Sequence, residues 1–179
     1  MALADAIRDA ALLEGDFVLR SGRRSSYYLD KYRFGTRPDL LRPLGRAIAD
    51  AVRAHEPAAA RLAAPELGAV TLATAAALEL DLPFVIVRSR AKEYGTANRI
   101  EGAFDHGDCV CLVEDVVTSG GAAIEAVEAL REAGLRVSNA VCVVDREEGG
   151  VDALARAAVR LHPLFRGSEL REVAAKPHG

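Results

Sequence analysis

Apolar side chains recur at helical spacing through Leu40, Leu41, Leu44, Ile48 and Val52, with Pro38 and Asp39 where a first turn begins, and this pattern predicts an amphipathic helix. Beyond it the period changes. A short apolar segment from Leu62 to Ala64, an Ala-rich helical stretch from Val70 to Leu80 and the run Phe84 to Val87 behind Pro83 read as strand, helix, strand. The same order returns as Cys109 to Val113, Gly121 to Ala133 and Val137 to Val144, with Gly134 placed to end the second helix. Short apolar runs alternating with helices make βαβ units, so the expected class is α/β: an open, mostly parallel twisted sheet with helices on both faces. In such sheets ligands bind beyond the carboxyl ends of the strands.

Two stretches break the alternation: Phe17 to Phe34, rich in Arg, Ser and Tyr, and Ser89 to Phe104, polar with scattered glycines. Polar loops of this length are uncommon in a compact domain and are usually functional or disordered. The C-terminal stretch Leu161 to Val173 is expected to pack with the first of them as a small cap, and Ala174 to Gly179 to fray. One domain over residues 1–179 follows, with a hood from about 1–35 and 160–175 and a core over about 36–159.

With 50% hydrophobic residues the 179-residue chain has apolar material for a core, and a net charge of -3 with 27% charged residues marks no global affinity for nucleic acid or anionic membrane. Any anion site must be local. No apolar run approaches the ~20 residues of a membrane span, and the start MALADAIRDA lacks a basic region followed by an apolar one, so a soluble, cytoplasmic protein is expected. Cys109, Cys111 and Cys142 sit inside apolar runs and read as core thiols, because no histidine or second close pair completes a zinc set. His55, His106, His162 and His178 adjoin no nucleophile motif.

The segment VEDVVTSGG, Val113 to Gly121, carries the chemistry. Thr118, Ser119, Gly120 and Gly121 present backbone N–H groups at a helix N-terminus with no side chain blocking approach, which makes a phosphate cradle. Glu114 and Asp115 just upstream would repel a phosphate unless they bind something else on the ligand, such as sugar hydroxyls or a bridging divalent cation. A phosphorylated ribose satisfies both halves. No G-x-x-x-x-G-K-[ST] loop and no strand-borne G-x-G-x-x-G is present, so neither a P-loop nor a dinucleotide fold is indicated.

VEDVVTSGG resembles the ribosyl-diphosphate signature of the type I phosphoribosyltransferases. FVLRSGRRSSYYLD, Phe17 to Asp30, resembles the N-terminal base-binding segment of the orotate phosphoribosyltransferases, and VRSRAKEYGTANRIEG, Val87 to Gly102, resembles their mobile catalytic loop, here about residues 88–104. PELGAVTLATA, VVDREEGG and PLFRGSEL extend the likeness over nearly the whole chain. The resemblance implies transfer of a phosphoribosyl group from 5-phosphoribosyl 1-diphosphate to orotate, giving orotidine 5'-monophosphate and diphosphate in pyrimidine (UMP) biosynthesis.

On that resemblance Glu114 and Asp115 hold the ribose 2- and 3-hydroxyls, while Val116 and Val117 lead into Thr118, Ser119, Gly120 and Gly121 around the 5-phosphate. Arg88, Arg90 and Lys92 supply loop cations that close over the diphosphate, with Arg88, Lys92 and Asp115 as the catalytic candidates and Tyr94 in the same loop. Arg146 and Tyr28 read the orotate carboxylate and ring, assisted by Arg20 and Lys31. Neighbours on a strand face opposite ways, so at least one of Tyr27 and Tyr28 belongs to a hairpin core instead. Mg2+ is expected to enter with the diphosphate and the ribose hydroxyls rather than through dedicated protein ligands. A homodimer with shared active sites is also implied, in which the loop lysine reaches the neighbour's site. This chain departs from common family positions at Ser89, where a second Lys is frequent, at Tyr94, where a His is frequent, and at Leu67, where some members are basic. A purine or uracil phosphoribosyltransferase, and a non-catalytic sensor of ribosyl diphosphate, remain open alternatives.

Overall fold

A computed structural model describes residues 2–18, 22, 24–89 and 99–174. The chain opens with helix α1 (Leu3–Ala11), hairpin strands β1 (Leu12–Val18) and β2 (Arg24–Leu29), and the short helix α2 (Tyr32–Gly35). Helix α3 (Pro38–His55) leads into β3 (Arg61–Pro65), α4 (Gly68–Leu80), β4 (Phe84–Val87) and the two-residue β5 (Ile100–Glu101). The second half runs β6 (Cys109–Val117), α5 (Gly121–Glu132), β7 (Arg136–Asp145), α6 (Gly150–Arg156), β8 (Arg160–Arg166) and α7 (Gly167–Ala174).

Six strands form one sheet in the order β5-β4-β3-β6-β7-β8. Every pairing in it is parallel except the edge pair β4 and β5. The expected open, mostly parallel sheet is therefore what the chain forms. Its core follows from the two-residue period of a strand. Val85, Ala63, Leu112, Ala140 and Leu161 stand in one row across the parallel strands and meet α5 and α6 on one face. Leu62, Ala64, Cys111, Val113, Val141 and Val143 point the other way, onto α3 and α4. Both faces are covered, which is why the strands read as near-continuous apolar runs.

Three boundaries differ from the sequence reading. Residues 160–166 were assigned to the hood, yet β8 pairs with β7 and completes the main sheet; only α7 turns back to pack against α1, with Leu170 buried there. The core thus runs past residue 159. Residues 100–101 of the long loop form β5, pairing Val87 with Ile100, while residues 90–98 lie outside the described residues. Strand β6 continues past Val113 through Glu114 and Asp115 to Val117, so the acids sit within the strand rather than beyond its end.

Of the three thiols, Cys111 and Cys142 are buried and Cys109 is partly exposed; none is paired. His55 and His162, far apart in sequence, stack with ring centroids 3.7 Å apart, and His162 contacts Asn139 at 2.9 Å. Among the described residues no helix is long and apolar enough to cross a membrane.

Helices α3 and α4 approach closely because Gly45 lies directly on Ala75. A Cβ at residue 45 would stand 2.7 Å from Ala75 Cβ and 2.9 Å from its carbonyl carbon. Gly45→Ala is therefore expected to destabilise the fold by about 1–3 kcal/mol through overpacking. Urea unfolding checks this: the midpoint should fall with the m-value unchanged.

Candidate active site

Strand β6 ends at the switch point of the sheet, where the chain from β3 turns outward through α4 to β4 and the chain from β6 turns the opposite way through α5 to β7. Between these diverging connections lies a cavity of about 510 Å³, lined by Lys31, Pro65, Glu66, Gly68 and the run Glu114 to Ala123, with Glu125. The sequence reading assigned Glu114, Asp115, Val116, Val117, Thr118, Ser119, Gly120 and Gly121 to one site, and all of them line this cavity.

The turn from β6 into α5 requires a residue of positive φ. Gly120 supplies it as the N-cap of α5, with φ 85°. The first-turn N–H groups of α5 have no helical acceptor, an arrangement that suits an anion. A second glycine holds the turn from behind. Gly150, at the start of α6, lies within 3.3 Å of the Cβ position of residue 120, and a Cβ on Gly150 itself would clash with Val117 and stand 2.6 Å from the Thr118 carbonyl oxygen.

Glu114 and Asp115 are 7% and 2% exposed. Burial, and then the negative charge of Asp115, push the Glu114 carboxyl up to about 8, while Lys31 and a backbone N–H oppose the shift more weakly. Asp115 is engaged at both oxygens: Oδ1 accepts the Val116 N–H at 2.6 Å, and Oδ2 lies 2.8 Å from Lys31 Nζ. Burial draws the Lys31 ammonium down, but the hydrogen bond and charge of Asp115 outweigh it and hold the group above its ordinary value. Gly68 makes this pair possible, because any Cβ there would occupy the position of Asp115 Oδ2. Sequence reasoning missed Gly68. A glycine between a strand end and a helix start, the general mark of close backbone approach, was the available signal.

The cations expected around the site divide. Lys92 and Tyr94 on the long loop, and Arg20 in the hairpin turn, lie outside the described residues. Arg88 does not line the cavity; its Nη1 lies 3.9 Å from Glu101 on β5, and its Nε is buried without a hydrogen bond. Ser89 donates both its N–H (2.9 Å) and its hydroxyl (2.8 Å) to Glu66, and these bonds hold the Glu66 carboxylate below its usual range.

Arg146 follows β7, and its backbone N–H is bound to the Val117 carbonyl at 2.9 Å, beside the end of β6. Its guanidinium is 10% exposed, 3.1 Å from Glu148 and 5.1 Å from the ring centre of Tyr27, with Nη2 3.3 Å from the Tyr27 hydroxyl. Arg146 Nε is buried and has no hydrogen-bond partner. Tyr28, paired with Arg146 in the sequence reading, instead meets Phe17 in a tilted contact at 5.6 Å and is 42% exposed, so Tyr27 is the aromatic beside Arg146. Arg171 of α7 approaches the same Tyr27 ring at 5.1 Å.

The Glu114 environment carries a pH signature. A carboxyl raised from 4.5 to about 8 is neutral in the folded ligand-free protein at pH 6. Its stabilising contribution is complete below the unfolded value and is lost as pH rises through the folded one. Glu114→Gln does not titrate, so its stability relative to the parent chain should rise between pH 5 and pH 9, by on the order of 4 kcal/mol at the alkaline end. Thermal melts of both proteins across that range test it, and a constant difference would refute the assignment.

Comparison with known proteins places this geometry. Residues 38–159 match the model of the phosphoribosyl transferase domain. The chain is 50% identical over 169 residues to the orotate phosphoribosyltransferase of Natronomonas pharaonis, covering 94% of this chain and 95% of that one. It superposes on the crystal structure of orotate phosphoribosyltransferase from Aeropyrum pernix with a TM-score of 0.83 at 32% identity, covering 98% and 100% of the two chains. The Mycobacterium tuberculosis orotate phosphoribosyltransferase in complex with 5-phospho-alpha-D-ribosyl 1-diphosphate aligns with a TM-score of 0.78 at 26% identity over 94% and 96%. With its buried acid pair and glycine-capped turn at the switch point of the sheet, the chain belongs to the phosphoribosyltransferase family, among the orotate phosphoribosyltransferases.

Proposed function

We propose that the chain transfers the phosphoribosyl group of 5-phosphoribosyl 1-diphosphate to orotate, releasing diphosphate and forming orotidine 5'-monophosphate, a step in making pyrimidine nucleotides. The observation that carries this reading is the single cavity in which a helix N-terminal turn and the buried Glu114–Asp115 pair are combined. The turn takes the 5-phosphate and the acids accept the ribose hydroxyls. As the bond from ribose C1 to the diphosphate oxygen breaks and a ring nitrogen of orotate bonds to C1, positive charge develops on the sugar and negative charge on the leaving group. The acids lie at the sugar end. The loop residues Arg88, Lys92 and Tyr94 are assigned to the diphosphate end, which Arg88 reaches by leaving Glu101.

Orotate brings a carboxylate on a flat ring. The buried Arg146 guanidinium, with an unused Nε and a tyrosine ring beside it, matches a planar anion. Tyr27 gives the base end of the site its ring, and Arg20 is assigned to the same end as a second cation.

Mg2+ accompanies the reaction. Asp115 is already bonded to Lys31, and no group of three or more metal-binding side chains gathers among the described residues. That donor set fits a cation carried in by diphosphate and sugar oxygens. When bound, it offsets charge on the leaving group. The working enzyme is a homodimer whose loop lysine serves the partner's site, and its unpaired thiols suit the reducing cytoplasm.

Loss of orotate absorbance in the presence of ribosyl diphosphate and Mg2+, with adenine, guanine and uracil as parallel substrates, tests the reaction. Turnover with another base and none with orotate would overturn it. Arg146→Ala should raise the KM for orotate roughly 10- to 100-fold, the size of a lost charge-assisted hydrogen bond, while the KM for ribosyl diphosphate changes little. Equal effects on both substrates would remove Arg146 from the base pocket. The shared site predicts complementation: mixing inactive Lys92→Ala and Asp115→Asn proteins should restore roughly a quarter of parental activity, since half the dimers are hybrid and each has one intact site. No recovery after subunit exchange, verified by mass spectrometry, would assign Lys92 to its own chain.

A further inference from the structure

The cavity's charge balance is unusual for a site that takes a polyanion. Among the described lining residues Lys31 is the one basic side chain, facing Glu66, Glu114, Asp115 and Glu125. The neighbouring cations stand off the cavity lining: Arg88 lies 3.9 Å from Glu101, and Arg146 lies beside Tyr27 and Glu148. Leu67, next to Glu66, and Ser89, which is spent on Glu66, add no positive charge nearby.

Lys31 is built into the site from outside the core. It follows β2 and precedes α2, so the hood delivers it across the mouth of the cavity. Its side chain is 38% exposed, whereas that of its partner Asp115 is 3% exposed. The arm crosses the bare backbone of Gly68, where a Cβ would stand 3.3 Å from Lys31 Cε, and its ammonium lies 5.7 Å from the ring centre of Tyr32. An ammonium has three N–H donors. Asp115 takes one, and a half-exposed head on the cavity wall leaves the others directed to ligand and solvent.

We propose that Lys31 is a diphosphate-binding residue, bridging Asp115 and an oxygen of the leaving group. This rests on the reading of the ligand as ribosyl diphosphate. Lys31 then joins the two ends of the reaction. The carboxylate that accepts a sugar hydroxyl and the oxygen that departs from C1 share one cation, so charge leaving the sugar ring is met by a donor already oriented through Asp115. The hood supplies a cation that Leu67 and Ser89 do not.

Calorimetric binding of three probes separates direct contact from an effect through Asp115: ribosyl diphosphate, inorganic diphosphate, and ribose 5-phosphate, which has the hydroxyls and the 5-phosphate but no leaving group. Lys31→Met should weaken the two diphosphate ligands roughly 10- to 100-fold, the worth of one charge-assisted hydrogen bond, and leave ribose 5-phosphate within about twofold. Lys31→Arg should recover part of the loss. Lys31→Gln, which keeps a donor without the charge, should fall between and serves if the Met variant does not fold. Unchanged binding of all three probes, or equal loss of ribosyl diphosphate and ribose 5-phosphate, would overturn the proposal, the latter reducing Lys31 to a positioning residue for Asp115. A parent protein that binds ribosyl diphosphate but consumes none with orotate would sink the orotate reading and leave the Lys31 result standing.

Discussion

Two adjacent carboxyl groups buried at the end of the central strand cannot both be ionised without compensation, and much of this architecture answers that constraint. Glu114 meets it by holding its proton, with burial setting its value near 8. Asp115 meets it with a backbone N–H at one oxygen and the Lys31 ammonium at the other. Each answer recruits a different part of the chain. The N–H comes from the strand itself, the ammonium from the hood, and the space for the ammonium from a side chain that residue 68 lacks. The hood is therefore electrostatically part of the core, and its seating is coupled to the state of the acid pair.

How much of this was legible in the sequence depends on the range of the interaction. Strands such as Phe84–Val87 could be read because both sheet faces are covered, which turns a strand into an apolar run with sharp ends. The glycine turn before α5 could be read because a helix N-terminus needs small residues and leaves them in order. Strand β8 escaped because RLHPLFR mixes charges and a proline among its apolar residues, as an edge strand can. The choice between Tyr27 and Tyr28 turned on strand phase, and β1 carries a register shift between Glu14 and Phe17 that sequence alone does not reveal. The Lys31–Asp115 pair and the seat of Gly68 are tertiary facts with no local pattern.

The departures from common family positions are also clearer in three dimensions. Ser89 ties the end of β4 to the loop after β3 through two hydrogen bonds to Glu66. Leu67 is 69% exposed and leaves its loop without a positive charge. The positive charge that the described cavity does hold arrives on Lys31.

The contact between Gly120 and Gly150 extends the phosphate turn beyond the segment that spells it. The turn is shaped from its open side by bare N–H groups and from the rear by the first residue of another helix, where a Cβ would clash with Val117 and the Thr118 carbonyl. The hallmark of this site is thus discontinuous. A search profile built on the contiguous VEDVVTSGG stretch alone would accept chains bearing a bulky residue at 150, and such chains would carry the right letters around a turn that cannot close.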